Sequence, residues 1–419
     1  MKTTSITRSS ALLLSTAIST TAFGAGFALN EQSARSLGQA FSGRASDADN
    51  ASTVVGNPAG MSLLKQAEFS GGFVVIDAHT DIKDAHSSLN SVPTTGSNDG
   101  DMVPLITVPF AYYVQPLDEH WAAGIGIYAP FGLTTDYEDG FEGRYFGTKS
   151  ELKIATVQPT ISYKFDTGIS LGLGITYNKI TGELDKNAPL FGSEISAKVK
   201  GDDTAWGYNV GILYEINDKT RVGLTYFSKV DYTLEGHTTL ENFPGGNQRF
   251  DASLDLTTPE KIDFGFTHQL TPELTLHGDA TQTRWNRVKQ ITVKNDSTLF
   301  PTDTENLDWD NSWFYSLGLS YALNDQWMVR GGVAFDKSPI PDSTRSVRVP
   351  TSDRKEIAFG ATWNLQQNVS LDFSYLYFKE DTAKINVASS IPQTGDTFTY
   401  SAKYHNYANL FGVQINWKL

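Results

Sequence analysis

The side chains best suited to chemistry in this 419-residue chain are few and dispersed. The seven His are scattered, and the absence of Cys removes thiol nucleophiles, disulfides and Cys-based metal sites. No GxSxG, HExxH, P-loop or strand-flanked GxGxxG occurs. Gly124-Ile125-Gly126 and Gly172-Leu173-Gly174 fall inside strand patterns, where small residues ease packing. Ser320 and His277 are a pairing that hydrolysis could use, and sequence alone neither joins nor separates them. A further set comprises Arg221, Asp263, His277, Asp279, Arg330, Glu356 and Asp372, all on one face of strand-like runs. Charges enclosed together need partners, so this set reads first as the polar lining of an interior. A carboxylate-binding Arg or Lys is the sharper alternative. No enzyme, metal or cofactor is indicated.

The elements that carry these residues are strands. From Ala67 onward the pattern has a period of two. Phe411, Val413, Ile415, Trp417 and Leu419 alternate with Gly412, Gln414, Asn416 and Lys418. Trp327, Val329, Gly331, Val333 and Phe335 alternate with Met328, Arg330, Gly332, Ala334 and Asp336. In a strand such sets point to opposite faces. Many runs reach ten or more residues and carry aromatics near their tips, as girdles at a membrane interface would. Outer-membrane strands commonly end on an aromatic residue; here Trp417 is aromatic and the terminal residue is Leu419.

Connections alternate in length. Short turns recur at 117–120, 166–168, 217–219, 271–273, 324–326 and 366–368. Longer polar stretches lie between them at 83–101, 184–203, 237–248, 337–352 and 387–398. This is the hairpin rhythm of an outer-membrane barrel, and the count is about 14 strands. The expected fold class is therefore all-β, a transmembrane antiparallel barrel. Closure removes exposed strand edges, and a monomer is expected.

Composition agrees. The chain holds 36 Gly, 18 Tyr, 24 Phe and 8 Trp, with a negative mean hydropathy and no run of the ~20 apolar residues that a spanning helix needs. The formal charge of -14 argues against a nucleic-acid partner, which requires clustered Lys and Arg. Residues 1–24 read as a secretory signal peptide: Lys2 and Arg8 precede an apolar stretch around Leu12, Leu13 and Leu14, and Ala22-Phe23-Gly24 fits a cleavage site. Residues 25–66 show no strand alternation, although Ala34, Leu37 and Phe41 share one face of a short helix. With 67–419 as one barrel, this segment is expected inside the lumen as a hatch, or plug, containing short helices.

Two features point to apolar cargo. The third predicted strand meets Ala129-Pro130-Phe131-Gly132-Leu133, where Pro cannot donate to the ladder and Gly weakens it. A kink is expected there, and with it a side opening; a strand ending before a loop is the plainer alternative. Apolar residues also stand in predicted outer loops: Pro189, Leu190 and Phe191, and Leu240 with Phe243.

Several motifs carry a family resemblance. Residues 25–31 (AGFALNE), 37–43 (LGQAFSG), Asn57-Pro58-Ala59-Gly60-Met61, Pro130-Phe131-Gly132-Leu133 and Gly143-Arg144-Tyr145 resemble the long-chain fatty acid transporters of bacterial outer membranes, the FadL type. The resemblance implies a 14-stranded barrel plugged by an N-terminal hatch. It implies that hydrophobic molecules bind outside, pass to an inner site and leave sideways at a kinked third strand. By resemblance Phe27 touches the inner ligand site, Asn57, Pro58 and Ala59 form the hatch signature, and Pro130, Phe131 and Gly132 sit at the kink. The family also includes carriers of aromatic hydrocarbons. Arg144 is the candidate carboxylate partner from the residues themselves, with a loop ion pair as its alternative. The expected partners are thus a long-chain fatty acid or aromatic hydrocarbon and outer-membrane lipid. A general diffusion porin and an adhesive surface barrel remain open at this point.

Overall fold

The structure, a computed structural model, describes residues 26–190, 193–391 and 394–419. The expected signal peptide (1–24) and Phe191 lie outside the described residues. Fourteen antiparallel strands close into one barrel. They are β1 (Glu68–Leu89), β2 (Ile106–Pro116), β3 (Trp121–Tyr128, resumed at Gly132–Asp136), β4 (Lys149–Lys164), β5 (Ile169–Leu190) and β6 (Ser193–Asn217). Next come β7 (Thr220–Phe227 and Val230–Glu241), β8 (Gln248–Thr258 and Lys261–Gln269) and β9 (Leu274–Thr283 and Gln290–Asn295). The chain ends with β10 (Thr302–Asn306 and Ser312–Ala322), β11 (Trp327–Asp336), β12 (Arg354–Gln366), β13 (Val369–Glu380 and Ala383–Ser390) and β14 (Thr397–Lys418). The barrel closes where β1 pairs β14, from Glu68↔Lys418 to Leu89↔Phe398.

Alternation sorts the side chains as expected. Phe411, Val413, Ile415 and Trp417 are exposed on the outside, whereas Gly412, Gln414 and Asn416 face inward. All six short turns join strands at the same end of the barrel. Aromatics ring that end, with Trp327 stacked on Trp363 (centroids 5.6 Å apart) and Trp121 against Tyr163 (4.7 Å). A second set, including Tyr177 with Trp206 and Trp313 with Tyr315, stands farther along the strands.

The opposite end departs from expectation. Much of 184–203, 237–248 and 387–398 is strand rather than loop. At about 3.3 Å per residue, the 22 residues of β5 span about 70 Å, far more than the hydrocarbon layer. The polar composition that suggested loops belongs to tall hairpins standing in water. Cross-strand ion pairs such as Lys179–Asp202 and Lys198–Glu241 (2.8 Å) hold them together. Residues 137–148 form a further connection at this end, and they carry Arg144.

Residues 26–66 occupy the lumen. Two four-residue helices, α1 (Ala34–Leu37) and α2 (Thr53–Gly56), and a 3-10 turn (Pro58–Leu63) are linked by irregular chain. Ser33 caps α1 by accepting from Ser36 N. Ala34, Leu37 and Phe41 are buried, as the helix reading anticipates. Backbone polar groups of a plug must pair with the wall. Gln414 Oε1 accordingly accepts from Ala34 N (3.0 Å), and Gln158 donates to Val54 O (2.8 Å).

Candidate functional site

The first described residues of the plug are built into the wall where β3 is interrupted. β3 pairs β2 only as far as Ile127, opposite Ala111. Beyond that point Ile106–110 of β2 pair β1 but have no ladder partner on β3. Ala129, Pro130 and Phe131 stand opposite two residues of β4, because the register passes from Tyr128↔Thr156 to Gly132↔Lys153. This is a bulge of one extra residue, and it lies where the sequence predicts a kink. The freed backbone groups find partners on the plug. Gly132 N donates to Phe27 O (2.9 Å), Leu29 N donates to Pro130 O (2.9 Å), and Gln32 Nε2 donates to Ala129 O (3.2 Å).

Phe27 itself is buried in an aromatic cluster. Its ring lies 4.7 Å from that of Trp285, 5.7 Å from Trp309 and 5.8 Å from Phe131, with Trp285 and Trp309 5.2 Å apart. These rings border two cavities. The first holds about 900 Å³ of space, part of it open to solvent, and its walls include Phe27, Leu133, Leu152, Leu234, Leu256 and Trp309. The second holds about 630 Å³ of space, again partly open to solvent, and is bounded by Ala28, Leu29, Pro130 and Phe131. Phe27 thus lines one cavity while the next two residues line the other. Sequence reasoning missed Trp285 and Trp309. Their one signal is that each is a lone Trp in a short polar stretch that interrupts alternation. It also missed the inward course of residues 337–353, which bring Ile340, Arg348 and Val349 to the first cavity.

Asn57 secures the plug. Its amide donates to Ala45 O (2.6 Å) and to Ile212 O of β6 (3.0 Å), while its oxygen accepts from Ala59 N (3.0 Å). Pro58 opens the 3-10 turn, where no N–H is needed. The wall is shaved to admit this contact: a Cβ on Gly211 would lie 1.9 Å from Asn57 Oδ1, and one on Gly223 would lie 1.8 Å from Ala45 O.

A polar face completes the plug. Arg44 donates to Asp263 (2.8 Å), Asn30 (2.8 Å) and Thr281 (3.0 Å). Arg44→Met leaves the fully buried Asp263 carboxylate without its cation. We expect a loss of about 3–5 kcal/mol in plug seating, read as a lower temperature for loss of the folded band on gels, and partly restored by Asp263→Leu. Burial, and then the neighbouring Asp49, push the Asp47 carboxyl up to about 7; burial likewise holds Glu31 at about 7. Within the inward set Arg330 reaches Asp372 (3.5 Å) and Arg221 faces Asp49 (3.7 Å), whereas Glu356 is buried with one carboxylate oxygen unpartnered. His277 Nε2 does lie 3.0 Å from Ser320 Oγ, yet its Nδ1 faces Thr267 (3.3 Å) and the pair is buried.

The outer candidates gather elsewhere. Leu190 and Leu240 are buried in one apolar cluster with Tyr145 and Phe398, and Phe243 packs on it. Pro189 is half-buried one residue before Leu190. Arg144 lies beside this cluster, its guanidinium donating to Glu194 (2.8 Å) and lying 4.8 Å from the Tyr145 ring. It is not among the residues bounding the first cavity.

A sequence model described as "Outer membrane protein transport protein (OMPP1/FadL/TodX)" matches residues 15–419. The chain is 30% identical to Outer membrane protein P1 of Haemophilus influenzae, over 97% of this chain and 98% of that one. It is 28% identical to a long-chain fatty acid transport protein of Escherichia coli, over 99% of both. In structure it resembles a Pseudomonas aeruginosa FadL homologue, with a TM-score of 0.85 at 21% identity over 94% of this chain and 100% of that one. The Ralstonia pickettii toluene transporter TbuX gives 0.67 at 18% identity, over 91% and 98%. A plugged 14-stranded barrel matched along nearly its whole length leaves one assignment: the chain belongs to the OMPP1/FadL/TodX family of outer-membrane transport proteins.

Proposed function

We propose that this barrel takes up long-chain fatty acids by passive transfer. The cargo meets the apolar cluster around Leu190, Leu240 and Phe243, enters the first cavity, passes Phe27 and leaves sideways at residues 129–131. The observation that carries this reading is the pair of cavities on either side of the Phe27 ring system, the second of them bounded by the bulged strand. The walls are largely aliphatic and aromatic, and each methylene buried there gains roughly 0.8 kcal/mol, so a chain insoluble in water moves downhill without nucleotide or cofactor. Pro189 extends the outer apolar surface, and Arg144 is available to a carboxylate only by exchange with Glu194. Residues 26–66 act as the hatch, with Asn57, Pro58 and Ala59 as its anchor, and the barrel works as a monomer.

Fatty acids are favoured over aromatic hydrocarbons because the relatives named for fatty acid transport are similar in sequence along the whole chain. The toluene transporters share the fold. A water-filled porin fits less well, since residues 26–66 fill the lumen.

The bulge supplies the test. Deleting Phe131 leaves two residues opposite two and restores a continuous register. Oleate uptake by cells carrying this variant is expected to fall at least about tenfold, the loss of a step worth about 1.4 kcal/mol or more, while the barrel still inserts. Wild-type uptake in the regularised variant would sink the side exit.

A further inference from the structure

The second cavity is apolar around most of its wall, with Leu29, Val55, Pro130, Phe131 and Val230 among its residues, yet the amine-bearing side chain of Lys261 also lines it. Lys261 opens the second part of β8, and alternation with the buried Asp263 and Thr267 turns its side chain inward. Its Nζ lies 4.4 Å from the centroid of the Phe227 ring. Among the described residues it has no ion-pair or hydrogen-bond partner. The acids nearby are committed elsewhere. Asp263 accepts from Arg44 (2.8 Å), Asp279 accepts from Ala45 N (3.3 Å), and Glu260 pairs with Arg287 (2.7 Å).

A cation withdrawn from bulk water gains part of its solvation back from a π face, but a carboxylate in charge-assisted contact is the stronger partner. Every other cation of the plug interface described above has such a partner. Here the Lys261 side chain faces a chamber bounded by the wall bulge. We infer that Lys261 is a specificity-determining residue that receives the carboxylate of an anionic amphiphile while the apolar tail lies along Leu29, Val55 and Phe131. The chamber then sorts cargo by charge at the last step before exit. A single ammonium suits a transient stop, because it offers a point charge rather than the bidentate fork of Arg. This inference rests on the fatty acid reading given under Proposed function and narrows it to the free acid.

The test compares oleate with oleyl alcohol, an uncharged molecule of the same chain length, in bacterial cells lacking their own fatty acid transporter. Uptake is measured for the intact protein, Lys261→Met and Lys261→Arg. In Lys261→Met the half-saturating oleate concentration is expected to rise about tenfold, the effect of losing one charged hydrogen bond, with oleyl alcohol unchanged. Lys261→Arg keeps the charge and is expected to stay within about twofold for both. Unchanged oleate uptake in Lys261→Met overturns the inference, and so does an equal loss of both cargoes, which marks a structural role. If the intact protein takes up neither molecule, the transport reading itself falls, and this inference with it.

Discussion

In Asn57→Ala, amide exchange over residues 44–62 is expected to accelerate about a hundredfold while the strands keep their protection. The asparagine satisfies three buried backbone groups at once. Each bond contributes about 1 kcal/mol net, and each buried group left unpaired costs about 1–3 kcal/mol, so a loss near 3 kcal/mol in plug seating is a moderate expectation. Alanine cannot fill the place, because Gly211 and Gly223 keep the wall open there only for the asparagine and the Ala45 carbonyl. The released segment no longer fills the lumen, so planar-bilayer conductance should rise in the same variant. Exchange at the wild-type rate would mean that the plug is held by its periphery, through Arg44 and Gln414, and not by Asn57.

Phe27→Ala removes the ring that borders the first cavity. Truncating a buried Phe costs about 3–5 kcal/mol in a core. Here the lost surface belongs partly to the cavity, so the cost falls on ligand affinity: about 10–100-fold weaker oleate binding, for roughly 1.5–3 kcal/mol of apolar contact. Trp285 and Trp309 report the change directly, since both rings touch Phe27. Their fluorescence should shift to the red in the variant and respond less to added oleate. Phe27→Leu should fall between. If oleate binds Phe27→Ala as it binds the native protein, the ligand does not rest on this ring.

Much of this architecture was legible in the chain. The alternation of Phe411, Val413, Ile415 and Trp417 with Gly412, Gln414 and Asn416 follows from a wall with lipid on one side and polar lining on the other. The six short turns set the strand count, and Pro130 marked the break in β3, because a residue without an N–H cannot continue a ladder. What stayed hidden depends on contacts distant in sequence. Phe27 meets Trp285 and Trp309 only after the barrel closes around the plug, and nothing local announces that meeting. Residues 337–353 look like any polar loop until they turn inward at Ile340 and Val349. The tall hairpins were misread as loops because polar residues on both faces suit a water-exposed ribbon as well as a loop. Lys261 was inconspicuous for a related reason: its significance lies in the commitment of Asp263 and Glu260 to other partners, which no spacing records.

The pairing of Phe27 and Leu29 with Gly132 and Pro130 has a thermodynamic consequence. The first residues of the plug serve as the missing rung of the wall, so the two cannot be displaced independently. Whatever a bound molecule does to those two hydrogen bonds, breaking them must do in equal measure to its affinity, by reciprocity of linked equilibria. Changing Pro130 should therefore alter binding at Phe27, and extending the chain ahead of Phe27 should alter the wall. Occupancy within the barrel and the state of its side are then two readings of one equilibrium.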